Sequence, residues 1–294
     1  METEIASLGV LADPLTRPGQ ECASTGLEVP GLGVWHSSVS TASEPAMFDP
    51  RLYVVLRGTK TMAFAGRHTR LTPGMCALSS IGVPFVTRVE AAPYLGIGLQ
   101  LNTEIVGRIM PALPERRTES AASIDVGQMD ESLIDPLKRM LAMCRSQGEA
   151  EILGPLVVEE VHYRLLTGRF GDTVRQLMGG GRRMEQIREA VAVIRAIDDP
   201  LPDVGELART VGMSVASFHR HFKLITGHGP LDYAKHLRLL RARELLYGGG
   251  VSVAEAAGQV GYVSASQFSR EYKRKFGTAP HCHARRPGQS VALP

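Results

Sequence analysis

The chain has 294 residues, 44% hydrophobic and 5% aromatic, with 33 Lys/Arg, 30 Asp/Glu and a formal net charge of +3. That length can bury two cores. No run of 18 or more uncharged apolar residues occurs, and METEIASLGV lacks a basic start and an apolar stretch, so a membrane span and a signal peptide are not expected and a cytoplasmic setting is.

Residues 1–25 carry Pro14, Pro18 and Gly19 without periodicity and read as a flexible arm. From Gly26 to about Leu101 the texture is β. Short apolar runs (LYVVL, TMAFAG, CALSS) alternate with turn signals at Asp49-Pro50, Arg57-Gly58, Ala65-Gly66 and Pro73-Gly74. Six to eight short strands predict a small barrel or jelly roll. The run LRGTKTMAFAGRHTRLTPGMCALSS resembles a cupin-like barrel. A metal-dependent barrel needs two or three His and a Glu on one ion. Only His36 and His68 occur here, with no HxH pair, so no metal is expected. No nucleophile elbow, P-loop or dinucleotide fingerprint appears, so no catalytic residue and no cofactor is expected.

A small barrel can still hold a small molecule. Trp35, Tyr53, Phe64, Phe85 and Tyr94 are the candidates to line its pocket. Arg57, Lys60 and Arg70 are the candidates to hold an anion. Each has the plainer alternative of barrel core or surface. Among the four cysteines, Cys22, Cys76, Cys144 and Cys282, no metal-ligand spacing exists, which fits reduced thiols. Cys76 follows Pro73-Gly74 near the expected pocket mouth and is the candidate redox sensor. The alternative is a small buried hydrophobe.

Leu113 to Gln128 reads as a polar connector with the cluster Glu115-Arg116-Arg117. Two helical segments follow. Their stripes are Leu133, Leu137, Met140, Leu141 and Cys144, then Leu153, Leu156, Val157, Val161 and Leu165. Residues 26–178 read as one domain, its two helices packed on the barrel. Gly179-Gly180-Gly181 marks a hinge at 179–182. Met184 to Ile197 then reads as a helix, broken by Asp198-Asp199-Pro200.

Next comes one design written twice. DVGELARTVGMSVASFHRHFKLITGHGP runs from Asp203 to Pro230, and VAEAAGQVGYVSASQFSREYKRKFGTAP from Val253 to Pro280. Glu206, Ala208, Val211 and Gly212 match Glu255, Ala257, Val260 and Gly261. Phe218, Arg220, Phe222, Lys223, Gly227 and Pro230 match Phe268, Arg270, Tyr272, Lys273, Gly277 and Pro280. Each copy reads as helix, turn, helix. Gly212 and Gly261 suit a left-handed helix end. Ser214 and Ser264 suit N-caps, with Gln267 completing a capping box. Met213 with Phe218, and Val263 with Phe268, have the spacing of a hydrophobic staple. Phe218, Phe222 and Ile225, and Phe268, Tyr272 and Phe276, form apolar faces. Opposite them lie Ala216, His219, Arg220 and Lys223, and Ser266, Ser269, Arg270 and Lys273. That is the pattern of a helix that docks on a small core and enters a major groove of double-stranded DNA. Between the copies, Pro230 opens a connecting helix to Tyr247, with Leu231, Ala234, Leu237, Leu245 and Leu246 inward.

From Arg182 to Arg286 the chain holds 17 Lys/Arg and 10 Asp/Glu, a balance of +7, while the remainder is −4. A phosphate-binding module needs this asymmetry. Charge alone would also suit RNA or an acidic membrane; the repeat favours duplex DNA.

The paired units, and GYVSASQFSREYKRKFGTAP above all, resemble the DNA-binding domain of AraC/XylS-type transcriptional regulators over roughly Arg183 to Ala284. The upstream part resembles the N-terminal domain of one branch of that family. The resemblance implies an α+β protein: at 26–178 a cupin-like sensing and dimerisation barrel with two helices, packed on it or against a second copy, then an all-α domain with two helix-turn-helix units at 183–285. The tail at 286–294 reads as disordered. It implies a small-molecule effector, base contacts at Arg220 and Arg270, and a homodimer and RNA polymerase as further partners. A regulator without ligand, its barrel used only for dimerisation or partner contact, stays open beside it, and a catalytic barrel behind both.

Overall fold

A computed structural model describes residues 1–16, 27–114, 123–179, 181–196 and 203–284. Helix α1 (Glu2–Ala12) precedes β1 (Leu32–Ser37), β2 (Glu44–Phe48), β3 (Arg51–Phe64), β4 (Arg67–Leu71), β5 (Met75–Ser79) and β6 (Val83–Gln100). Then come α2 (Thr103–Ile109), β7 (Ile124–Gln128), α3 (Ile134–Met143), α4 (Gln147–Thr167) and α5 (Gly171–Gly179). The rest is helical: α6 (Arg182–Ala196), α7 (Val204–Thr210), α8 (Val215–Thr226), α9 (Pro230–Gly248), α10 (Val253–Gln259), α11 (Ala265–Phe276) and α12 (Pro280–Ala284). The protein is α+β, as the sequence implies.

The strands make one antiparallel sheet in the order β1-β6-β3-β5-β7, with β2 added on β6 and β4 on β3. This sheet is not closed, so the expected barrel is an open sheet instead. Its frame is two long strands, β3 and β6, rather than many short ones. Their pairing shifts register between Val55 and Lys60, where bulges bend a strand pair. Gly58 makes the bend possible: its φ is +74°, and a Cβ there would meet the Ala91 carbonyl oxygen at 2.4 Å.

Strand alternation gives the sheet two buried faces. On one, Leu52, Val54 and Leu56 of β3 join Val34, Ile97, Leu99, Cys76 and Leu78 beneath helices. Helix α1 contributes Ile5, Leu8 and Ala12 to this core. Residues 2–12 are therefore no loose arm: an apolar stripe without turn signals found a sheet to cover. Likewise Ile124–Gln128 is not connector but a strand paired with β5. The cluster Glu115-Arg116-Arg117, Cys22, Gly180 and Asp198-Asp199-Pro200 lie outside the described residues, as does the tail. In α4 the expected stripe is rotated. Val157, Val158, Val161 and Leu165 are buried, while Ile152, Leu153 and Leu156 face outward.

On the other face, Trp35, Tyr53, Val55, Met62, Phe85 and Tyr94 form one continuous core with Ile187, Leu207, Phe218, Phe222 and Tyr233. The first half of the helical part thus packs on the sheet rather than standing apart. Each such side chain, fully buried, contributes about 1.5–3 kcal/mol. The second half has its own small core, with Leu239, Leu246, Ala257, Val260, Phe268 and Tyr272. Among the described residues no helix is long and apolar enough to cross a membrane.

Candidate nucleic-acid interface

In the first unit, α7 ends at Gly212 with φ +64°, a conformation glycine adopts without strain. The chain turns, and the Ser214 side chain accepts the backbone N–H of Ser217 at 3.4 Å to cap α8. Phe218 and Phe222 are fully buried and meet edge to face at 5.4 Å. With that face fixed inward, Ala216, His219, Arg220 and Lys223 are exposed. The helix closes at Gly227, φ +75°.

The second unit repeats this. Gly261 has φ +78°, Ser264 accepts the N–H of Gln267 at 3.3 Å, and Gly277 closes α11 with φ +74°. Phe268 and Tyr272 are buried; Ser266, Arg270 and Lys273 are exposed and Ser269 is half-buried. Two details of the cap differ from expectation. Gln267 does not return a bond to Ser264 but reaches Glu271 at 3.2 Å. Val263 is exposed, and Tyr262 packs on Phe268 instead, with ring centroids 5.3 Å apart. A full capping box does form one helix earlier, between Ser252 and Glu255.

All eight sequence candidates therefore sit on α8 and α11, opposite the buried aromatic stripes. Exposed Arg274 extends the basic face of α11. Helix α9 joins the units. Leu231 at its start is exposed rather than inward. Its inward side carries polar groups that sequence reading missed. Arg243 is 4% exposed, sits 4.7 Å over the Phe276 ring and donates to the Pro45 carbonyl of β2 at 3.1 Å. His236 accepts from Lys275 of α11 at 2.7 Å. Burial, with the Lys275 charge second, pulls the His236 imidazole down to about 2, and burial pulls the Lys275 ammonium down to about 8.

The same region is bolted to the sheet. Tyr233 donates to Gly82, Ser123 donates to the Ile225 carbonyl at 2.5 Å, and Arg195 pairs with Asp49. A Cβ on Gly227 would lie 3.1 Å from Phe64, so the end of α8 abuts the β3–β4 hairpin. Arg188 reaches back across the glycines to the Gln176 carbonyl.

Among the effector candidates the structure gathers some and scatters others. Tyr53, Lys60 and Phe85 line a narrow cavity with Phe48, Arg51, Met62, Leu71 and Ala77. Trp35 and Tyr94 support it, Trp35 packing edge-on to Tyr53 at 5.4 Å and Tyr94 bonding the Tyr53 hydroxyl. Arg57 is elsewhere. The bulge after Val55 turns it towards α1, where it forms a two-point pair with Asp13 at 2.7 and 3.0 Å. Phe64 serves the contact with α8, and Arg70 pairs with Glu90 on the surface at 3.2 Å. Cys76 faces the other core, fully buried, and does not line the cavity that holds Tyr53 and Lys60; burial pushes its thiol far up. That is the environment of a small buried hydrophobe. Arg51 was missed, although period-2 alternation puts it on the face of Tyr53.

Two family models match the chain. The AraC-type transcriptional regulator N-terminus matches residues 28–173, and a helix-turn-helix domain matches 207–286. The curated regulator GbdR of Pseudomonas aeruginosa is 35% identical over 115 residues, 39% of this chain and 30% of GbdR. The match thus spans under a third of that relative's length. Among solved structures, an apo variant of ToxT from Vibrio cholerae superposes with a TM-score of 0.61 at 12% identity, over 86% of this chain and 96% of ToxT. ToxT with a bound unsaturated fatty acid gives 0.57 at 12%, over 86% and 93%. These likenesses carry the fold.

Proposed function

We propose that this chain, which belongs to the AraC/XylS-type transcriptional regulators, reads DNA with α8 and α11 in successive major grooves. A small molecule held against the Tyr53–Lys60 face of the sheet controls it. The reading rests on one observation. Two helices with the same serine cap, the same buried aromatic stripe and the same exposed Arg and Lys are joined by α9, which has 19 residues. At 1.5 Å per residue that helix spans about 28 Å, a scale that suits grooves about 34 Å apart. Arg220 and Arg270 are the base readers, each able to hold guanine with two hydrogen bonds. Lys223 and Lys273, one turn on, hold phosphate. Ala216, His219, Ser266 and Ser269 fill the groove floor. Such a regulator acts in the cytoplasm, with RNA polymerase as its second partner.

The experiment uses the full chain and a duplex selected from a random pool. Arg270→Ala should weaken binding to that duplex by about 5- to 150-fold, equivalent to 1–3 kcal/mol. Binding to random duplex should change little. Equal loss on both would make Arg270 a phosphate contact and remove it as a reader.

A second reading, in which the sheet domain serves only contact with another copy, draws on α4. Ile152, Leu156 and Tyr163 stand exposed along one side of that helix.

A further inference from the structure

The cavity on the sheet face has an unusual charge balance. Lys60 is 8% exposed, and among the described residues its ammonium reaches only the Tyr53 hydroxyl, at 3.5 Å. It lies 5.0 Å from the Tyr53 ring centroid and 5.6 Å from that of Tyr94. Arg51 stacks 5.2 Å over Trp35, and its Nε and Nη1 are buried with no hydrogen-bond partner among the described residues. No carboxylate of those residues pairs with either cation; Asp49, which acts on Arg51 from a distance, is engaged by Arg195. The remaining walls, Phe48, Met62, Leu71 and Phe85 among them, are apolar. Aromatic faces offset part of the cost of one buried ammonium and one half-buried guanidinium. They do not replace an anion, which buried charges ordinarily have.

We infer that Lys60 and Arg51 anchor the carboxylate of a small organic acid whose apolar body lies against Phe48, Met62, Leu71 and Phe85. This deepens the effector part of the proposed function and rests on it. The cavity measures about 20 Å³, room for a water-sized group. A carboxylate head fits that space better than a phosphate does. The two cations answer one negative charge with the Lys60 ammonium and the fork of Arg51. The apolar body must then part its walls, and Met62 is the side chain best able to yield.

Trp35 is the sole tryptophan of the chain and sits under Arg51, so its emission reports on the site directly. The test titrates the full-length protein with acetate, butyrate, octanoate and benzoate, with the methyl ester of each, and with inorganic phosphate. At least one of the larger acids should shift the Trp35 emission saturably. Its ester should bind at least tenfold more weakly, and phosphate should have no effect. K60M and R51M should each weaken the acid at least tenfold. The inference is overturned if no acid binds, if an ester binds as tightly as its acid, if phosphate alone reproduces the shift, or if both variants bind like the wild type. Anisotropy on the selected duplex, run on the same samples, separates two failures. Intact DNA binding without any response to acids sinks this inference alone. Wild-type protein that binds no duplex selectively sinks the proposed function.

Discussion

The hydroxyl of Tyr233 donates a 2.8 Å hydrogen bond to the carbonyl of Gly82. It joins the helix between the two DNA-binding units to the loop between β5 and β6. Tyr233 is fully buried and also meets Phe222 edge to face at 5.4 Å. One residue therefore touches the core of the first unit and the backbone of the sheet domain. Removing only the hydroxyl should leave the packing and strand a buried carbonyl. Tyr233→Phe should lower stability in urea unfolding by about 1–3 kcal/mol. An unchanged midpoint would show that water satisfies Gly82 and that the bond does not hold the junction.

The lysines should behave unlike the arginines. Lys223 and Lys273 lie one turn beyond Arg220 and Arg270 on the exposed faces. Neutralising either, as Lys223→Gln or Lys273→Gln, should reduce the slope of log K against log salt by about 1. It should weaken selected and random duplex alike. A lysine whose loss leaves the slope unchanged does not touch the backbone.

Acid should loosen the joint around α9. His236 and His228 stand with rings 5.7 Å apart, facing Lys275 of α11, Arg243 and Asp232 of α9, and the Pro84 carbonyl of β6. Burial first, and the Lys275 charge second, hold both imidazoles below their ordinary range. The folded state therefore binds fewer protons than the unfolded chain below about pH 6.5. Stability contributed by these histidines is present above that pH and falls as pH drops through it, by up to about 1.4 kcal/mol per unit for each. His236→Gln should flatten the decline of melting temperature between pH 6.5 and 4.5. A decline as steep in the variant would assign it to other groups.

Cys76 should be inert. It is fully buried between Val54 and the helical face, in register with Gly127. A maleimide should label exposed Cys282 quickly and Cys76 only on unfolding. Rapid labelling of Cys76 in the native protein would mean that the helical face opens.

The sequence made the DNA-binding part legible because local chemistry writes it. Gly212 and Gly261, Ser214 and Ser264, and the paired aromatics act within one helix-turn-helix and recur. Where the second cap departs, the cause is tertiary: Tyr262 took the place on Phe268 that the staple pattern gave to Val263. The sheet domain was legible in class but not in shape. Turn signals marked the hairpins, yet nothing local says that β3 and β6 run long or that the sheet stays open. Arg57 was a candidate to hold an anion in the pocket, but the register shift after Val55 turns it to Asp13, and that shift needs the partner strand to be seen. The shared core of Met62 and Phe85 with Phe218 and Phe222 was invisible, since each side chain already had a sufficient role in its own unit. Buried Arg243 and half-buried Arg51 and Lys275 were read past because cations are usually surface residues.

The central claim, that two equivalent helices read two grooves, is tested most directly by hydroxyl-radical footprinting of the full chain on its selected duplex. Wild type, Arg220→Ala and Arg270→Ala should be compared. The account predicts two protected stretches one helical turn apart on one DNA face. Arg220→Ala should weaken protection in one stretch and Arg270→Ala in the other. A single protected groove, or the same stretch lost in both variants, would contradict it.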